Sequence, residues 1–83
     1  MEDKLRAILQ RVGGPDATVI IRRDDWRFVA TVIARCFEGM HDVERQEKIW
    51  DALLDELSDT EAEFLEYVHT EAPSEVAGAQ RVS

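Results

Sequence analysis

The sequence predicts an α+β fold: a three-stranded mixed sheet with helices packed on one face, in the order α-β-β-α-β with a short closing helix. Three observations lead there. Apolar residues recur at helical spacing twice, as Leu5, Ile8, Leu9 and Val12 and again as Ile49, Trp50, Leu53, Leu54 and Leu57, each set forming one stripe of a helix. Between the two stripes lies a segment rich in β-branched and aromatic residues, the composition of strands. The chain has 83 residues, 45% of them hydrophobic, enough for one modest core and not two.

The first helix is expected over residues 2–12. Glu2 and Asp3 fall in its first turn, where they complement the helix dipole, and Gly13-Gly14-Pro15 stops it. Residues 17–23 and 26–36 are expected as two strands of a hairpin, with Asp24-Asp25 at the turn. The expected pairing sets Arg22 opposite Arg27, Ile21 opposite Phe28 and Val19 opposite Ala30. One face then carries Ala17, Val19, Ile21, Trp26, Phe28, Ala30, Val32 and Ala34, the natural core face. The other carries Thr18, Ile20, Arg22, Arg27, Val29, Thr31, Ile33 and Arg35, a mixed surface left open or bound to something. After a loop at Phe37-Glu38-Gly39-Met40, Asp42 is the expected N-cap of a helix reaching Leu57, with Glu44 and Lys48 as a favourable i, i+4 pair. Ser58-Asp59-Thr60 breaks it. Residues 62–70 are expected as the third strand, with Phe64 and Val68 on one face and Leu65, Tyr67 and His69 on the other. Pro73 opens a last short helix, and residues 77–83 are expected as a tail beyond a single domain of residues 1–76.

Charge narrows the function classes. Asp and Glu number 18 against 10 Lys and Arg, for a net charge of −8. The distribution is uneven: residues 1–40 hold seven basic and six acidic groups, residues 41–83 three basic and twelve acidic. An anion-binding surface must come from the first half. Nonspecific nucleic-acid binding, which needs surplus positive charge to displace counterions, is disfavoured. Cys36 is the one cysteine, so neither an intramolecular disulfide nor a multi-cysteine zinc site can form. No apolar run approaches the roughly 20 residues of a membrane span. The opening Met1-Glu2-Asp3-Lys4 lacks the pattern of a signal peptide, which gives the expectation of a cytoplasmic protein.

Several residues are candidates for chemistry, each with a plainer reading beside it. Cys36, at a strand end, reads as a small buried residue, since a nucleophile needs a base that the sequence does not place there. His41 and His69 would need to converge with a carboxylate or thiolate to hold a metal, and nothing in their spacing brings them together. Glu44, Glu47, Asp51 and Asp55 share one helix side and read as a solvated face. Arg22, Arg27 and Arg35, with Arg23 at the turn, are the one basic concentration: either a docking surface for an acidic partner or arginines lying over Ile20, Val29 and Ile33.

Three segments carry a family resemblance. Phe37 to Leu57 (FEGMHDVERQEKIWDALLDEL), Val68 to Glu75 (VHTEAPSE) and Asp3 to Gln10 (DKLRAILQ) are colinear with the BolA family and similar to it in pattern. They match its Phe-x-Gly turn, a helix opened by Arg-His-Arg, a Leu-rich helix, a strand end with a Thr-Pro-x-Glu-like close, and the first helix. The resemblance spans residues 3–76. It implies the fold of a class II KH domain and a link to monothiol glutaredoxins, shared [2Fe–2S] clusters and, in some members, transcriptional control. The departures are specific. The family's cluster-ligating His at the start of the third strand is Phe64 here. The long loop that supplies a further Cys or His is replaced by Asp24-Asp25. Arg45 is kept, but Gln46 and Glu47 replace the rest of the Arg-His-Arg run. Glu66 stands where the family is apolar, which leaves the third strand's register open by one residue. No Gly-x-x-Gly loop of the kind KH domains use on nucleic acid is present, the glycines being Gly13, Gly14, Gly39 and Gly78.

Together these readings lead to the expectation of a non-catalytic adaptor or regulatory domain without a cofactor or metal site of its own. The implied partner is a monothiol glutaredoxin or a related thiol-redox protein. Partner-binding residues are expected at the helix opening (His41, Arg45, Gln46), on the open sheet face (Arg22, Arg27, Arg35) and at His69. The alternatives are a nucleic-acid-binding regulator and a homodimer formed through Ile20, Val29 and Ile33.

Overall fold

A computed structural model describes residues 1–76. The chain runs α1 (Glu2–Gly13), β1 (Thr18–Asp24), β2 (Arg27–Ile33), a single 3₁₀ turn (Arg35–Phe37), α2 (Asp42–Glu56), α3 (Asp59–Glu63) and β3 (Leu65–Glu71). Residues 73–76 are helical, starting at Pro73 as the sequence predicts. The sheet order is β1-β2-β3, β1 antiparallel and β3 parallel to β2. The α+β class and the mixed sheet are as expected. Residues 77–83, expected as a tail, lie outside the described residues.

The core forms where the helical stripes meet one face of the sheet. Leu5, Ile8 and Leu9 of α1 pack with Ile49 and Leu53 of α2 over Val19, Ala30, Val32, Leu65 and Val68, and Phe37 and Ala72 close the ends. Burying a side chain the size of Phe37 or Leu53 contributes about 2 kcal/mol, so these two stripes and one strand face carry most of the fold. The α1–β1 connection is tight: a Cβ at Gly13 would lie 2.6 Å from the Cβ of Ala17, and Gly14 takes φ +93°. Both positions therefore require glycine.

The hairpin pairs two residues out of the expected register. Arg22 faces Val29, Ile21 faces Ala30 and Asp24 faces Arg27. The turn is the two-residue Asp25-Trp26, with Asp25 at φ 60°, a conformation Asp tolerates better than most side chains. A slip of two preserves the faces, so the apolar face is still the core face. Trp26 is the exception. It belongs to the turn and is 49% exposed rather than buried. Strand β2 also ends at Ile33, short of the expected Cys36, because the 3₁₀ turn begins at Arg35.

Three further differences have local causes. The N-cap of α2 is His41, one residue before the expected Asp42, and its backbone N–H donates to the Glu44 carboxylate at 3.1 Å. Leu54, placed by sequence in the α2 stripe, is 63% exposed. Residues 59–63 form a helix where strand was expected to begin. Ser58 caps it, its hydroxyl accepting from the Glu61 N–H at 3.1 Å while the Glu61 carboxylate accepts from the Ser58 N–H at 2.9 Å. Strand β3 has an irregularity: Phe28 pairs with Leu65 but Val29 pairs with Tyr67, leaving Glu66 as an extra residue. Leu65 and Val68 therefore both face the core, while Phe64, expected beside Val68, precedes the strand.

Candidate functional site

The opening of α2 is a clamp. Arg45 is 5% exposed, unlike the exposed docking residue the sequence suggested. Its Nη2 donates to the carbonyl of Phe37 at 2.9 Å and its Nη1 to that of Thr70 at 3.4 Å. Both nitrogens reach the Glu75 carboxylate, at 2.7 and 3.2 Å. The arginine thus joins the 3₁₀ turn, β3 and the final helix to α2. This hydrogen-bonded pairing raises the Arg45 pKa further above an already high value and lowers that of Glu75, which also accepts from the Ala72 N–H at 2.7 Å. Glu75 is the residue the sequence reading missed; the signal was the acidic end of its Ala-Pro-Ser-Glu close. Gln46 is committed inward as well. Its amide donates to the Val68 carbonyl at 2.9 Å and accepts from the Trp50 indole at 3.1 Å. Of the three residues expected at the helix opening, only His41 stays exposed.

The outer face of the sheet is laid out in rows across the three strands. The register sets Thr18, Ile33 and Glu71 in one row, Ile20, Thr31 and His69 in the next, and Arg22, Val29 and Tyr67 in a third. Asp24 and Arg27 follow at the hairpin end. The structure brings Arg22, Arg27 and His69 onto this face, with His69 edge-on to the Tyr67 ring at 4.4 Å. Arg35 is not among them: it sits in the 3₁₀ turn, where its backbone N–H donates to Asp16. The face is not basic. Asp24, Glu66 and Glu71 offset Arg22 and Arg27, and the Glu66 carboxyl pKa is raised by its hydrogen bond to Asp24 and the neighbouring negative charge.

At the hairpin end, Phe64 packs edge-on against Trp26 with ring centroids 5.9 Å apart, and the Arg27 guanidinium lies 4.4 Å from the Trp26 ring centre. Phe64 occupies the position where the family resemblance implies a cluster-ligating histidine. A phenyl ring has no lone pair for iron, and here it is held in an aromatic contact, so the residues present do not fit a [2Fe–2S] ligand set. Elsewhere, His69 lies on the outer sheet face, whereas His41 caps a helix on the inner side. Cys36 is half-buried, its thiol 3.9 Å from the Val12 carbonyl. Among the described residues no group of three or more His, Cys, Asp or Glu side chains is placed to hold a metal ion, and no helix is long and apolar enough to cross a membrane.

An α-β-β-α-β order with both long helices on one face of a mixed sheet defines a class II KH-like α+β domain. Solved structures narrow the class. The BolA1 protein of Mus musculus superposes with TM-score 0.74 over 95% of this chain and 70% of its own, at 21% identity. BolA1 of Arabidopsis thaliana gives 0.67 over 88% and 92%, at 26% identity. A bol-like protein of Babesia bovis gives 0.67 over 96% and 93%, at 16% identity. No family model and no curated protein matches the sequence. The chain has the BolA-like fold, and the family resemblance read from its helices and strand end stands.

Proposed function

We propose that the protein is a non-catalytic BolA-like adaptor that docks on a monothiol glutaredoxin or related thiol-redox protein without ligating a cluster itself. The observation that carries this reading is Phe64. The fold is retained around it, yet the ligand position is filled by an aromatic ring packed on Trp26. The replacement removes an electron-donating group and leaves the fold unchanged, which supports docking without ligation. The nucleic-acid alternative draws little support from the outer sheet face, where three carboxylates accompany two arginines.

The test is a titration of the isotope-labelled protein with a cluster-loaded monothiol glutaredoxin, following amide shifts and cluster absorption in the same samples. Amide shifts with an unchanged cluster spectrum are expected. Phe64→His restores a nitrogen donor at this position and is expected to perturb the spectrum where the native chain does not. A native chain that changes the cluster spectrum overturns the non-ligating part of the reading. Absence of any shift overturns the partner.

A further inference from the structure

Helix α2 has a second apolar stripe that the fold covers only in part, with Trp50 half-buried against the core. Val43 is 69% exposed and Leu54 63% exposed. Trp50 lies between them, at i+7 from Val43, with Leu54 at i+11, spacings that return to nearly the same side of a helix. Beside this stripe is an open groove of about 400 Å³ lined by Asp42, Val43, Gln46, Glu47 and Trp50. The groove has a fixed wall. The Val68 carbonyl holds the Gln46 amide, and Gln46 in turn holds the Trp50 indole N–H, at 2.9 and 3.1 Å. The indole is therefore positioned by a hydrogen-bonded chain anchored on β3.

The charge around the stripe has one dominant sign. Asp42 and Glu47 line the groove. Glu44, Asp51 and Asp55 follow along the adjoining side of the helix, against one lysine, Lys48. An apolar seam flanked by carboxylates complements an amphipathic helix whose apolar residues are flanked by Lys or Arg. Acidic partners are repelled, and a second copy of this chain would bring the same carboxylates face to face.

We propose that the α2 groove takes a basic amphipathic helix of a partner protein, with Val43, Trp50 and Leu54 as apolar contacts and Gln46 as the residue that positions Trp50. The inference rests on the adaptor reading only in requiring a protein partner; the kind of partner follows from the groove itself.

The probe is a synthetic peptide of about 16 residues, some 24 Å of helix, with Leu at helical spacing and Lys on both flanks. Its counterpart has Glu in place of every Lys. Titrated into the labelled protein, the lysine peptide is expected to shift the amides of Val43, Gln46 and Leu54 and the Trp50 indole N–H. Its affinity should fall roughly fivefold as ionic strength rises from about 0.05 to 0.3 M. The double variant Val43→Ser/Leu54→Ser changes exposed positions only; its spectrum away from α2 should be unchanged and its affinity roughly tenfold weaker. Equal binding of the glutamate peptide, shifts centred on the outer sheet face, or no binding overturns the proposal.

The same double variant separates this inference from the adaptor reading. If glutaredoxin docks equally on the native chain and the variant, the groove is not its site, and the adaptor reading stands without it. If the native chain binds the lysine peptide through α2 but not glutaredoxin, the groove stands and the thiol-redox partner falls.

Discussion

Arg45 uses its guanidinium unevenly. Both terminal nitrogens are bonded, but the buried Nε has no partner, a cost accepted because the other contacts close three segments onto α2. Removing a member of a buried charge pair typically costs 3–5 kcal/mol. Glu75 remains about half exposed, which puts Arg45→Ala near the lower limit. We expect a loss of about 3 kcal/mol in urea unfolding, and a loss well under 1 kcal/mol would show that the clamp is ornamental. Glu75→Gln should weaken the fold less, because the carbonyls of Phe37 and Thr70 still hold the arginine. A sequence in hand shows an arginine at a helix opening, but not that its counter-ion lies 30 residues away. That is why Arg45 reads as a docking residue from sequence and as an internal one in the fold. Arg22 and Arg27 lie on the outer sheet face as expected, because the residues that share a strand face follow from alternation alone.

Elements whose signal is periodic were legible: α1, the body of α2, and the two-faced hairpin. Those whose signal is a single local contact were not. The capping box of α3 was present in the sequence as Ser58-x-x-Glu61, yet five residues are too few for a helical stripe. The irregularity at Glu66 cannot be read from alternation, because an extra residue inverts the pattern it would be read from. The hairpin slipped by two because moving the two-residue turn by one position, from Asp24-Asp25 to Asp25-Trp26, shifts the pairing by two and keeps the same faces. The α3 cap makes a pH prediction. The Ser58 N–H and the Lys4 ammonium, the latter 2.9 Å away, hold the Glu61 carboxyl down to about 2 from an ordinary value near 4.5. A depressed folded-state pKa means that the unfolded chain takes up its proton first as pH falls. The stabilisation is therefore complete above about 4.5 and is lost as pH falls toward about 2. Thermal melts of the native chain and Glu61→Gln should differ most near neutral pH and converge across that window; a difference that persists undiminished at the acid end would assign the effect to something other than this carboxylate. Ser58→Ala removes the other half of the box and should cost about 1 kcal/mol at neutral pH.

At the scale of the whole molecule the open question for a three-stranded sheet is its edges, since an unpaired strand invites pairing with another chain. In β2, Phe28 and Ala34 donate toward the β3 side, to Phe64 and Glu71. Residues of that parity face β3, so the odd residues of β2 bond to β1, and Val19, paired with Val32, turns its own backbone groups to the free edge. There the Arg6 guanidinium donates to the Val19 carbonyl at 2.8 Å, and Gln10 reaches the Ala17 carbonyl just before the strand at 3.0 Å. Helix α1 thus does more than bury Leu5 and Leu9: its polar side covers the edge of the strand it packs beside. Arg22, Arg23 and Asp24 protect the rest of that edge with charge. Arg6→Ala leaves the core untouched, since Arg6 is exposed and stands beside the apolar stripe of α1 rather than in it. It frees one acceptor on the edge. The expected outcome is a larger self-associated fraction by sedimentation velocity at high protein concentration, with an unchanged helix signal. Arg6→Lys, which keeps a donor, should stay closer to the native chain. An Arg6→Ala protein that sediments like the native chain at every concentration would mean that charge at Arg22, Arg23 and Asp24 is sufficient to keep the edge closed.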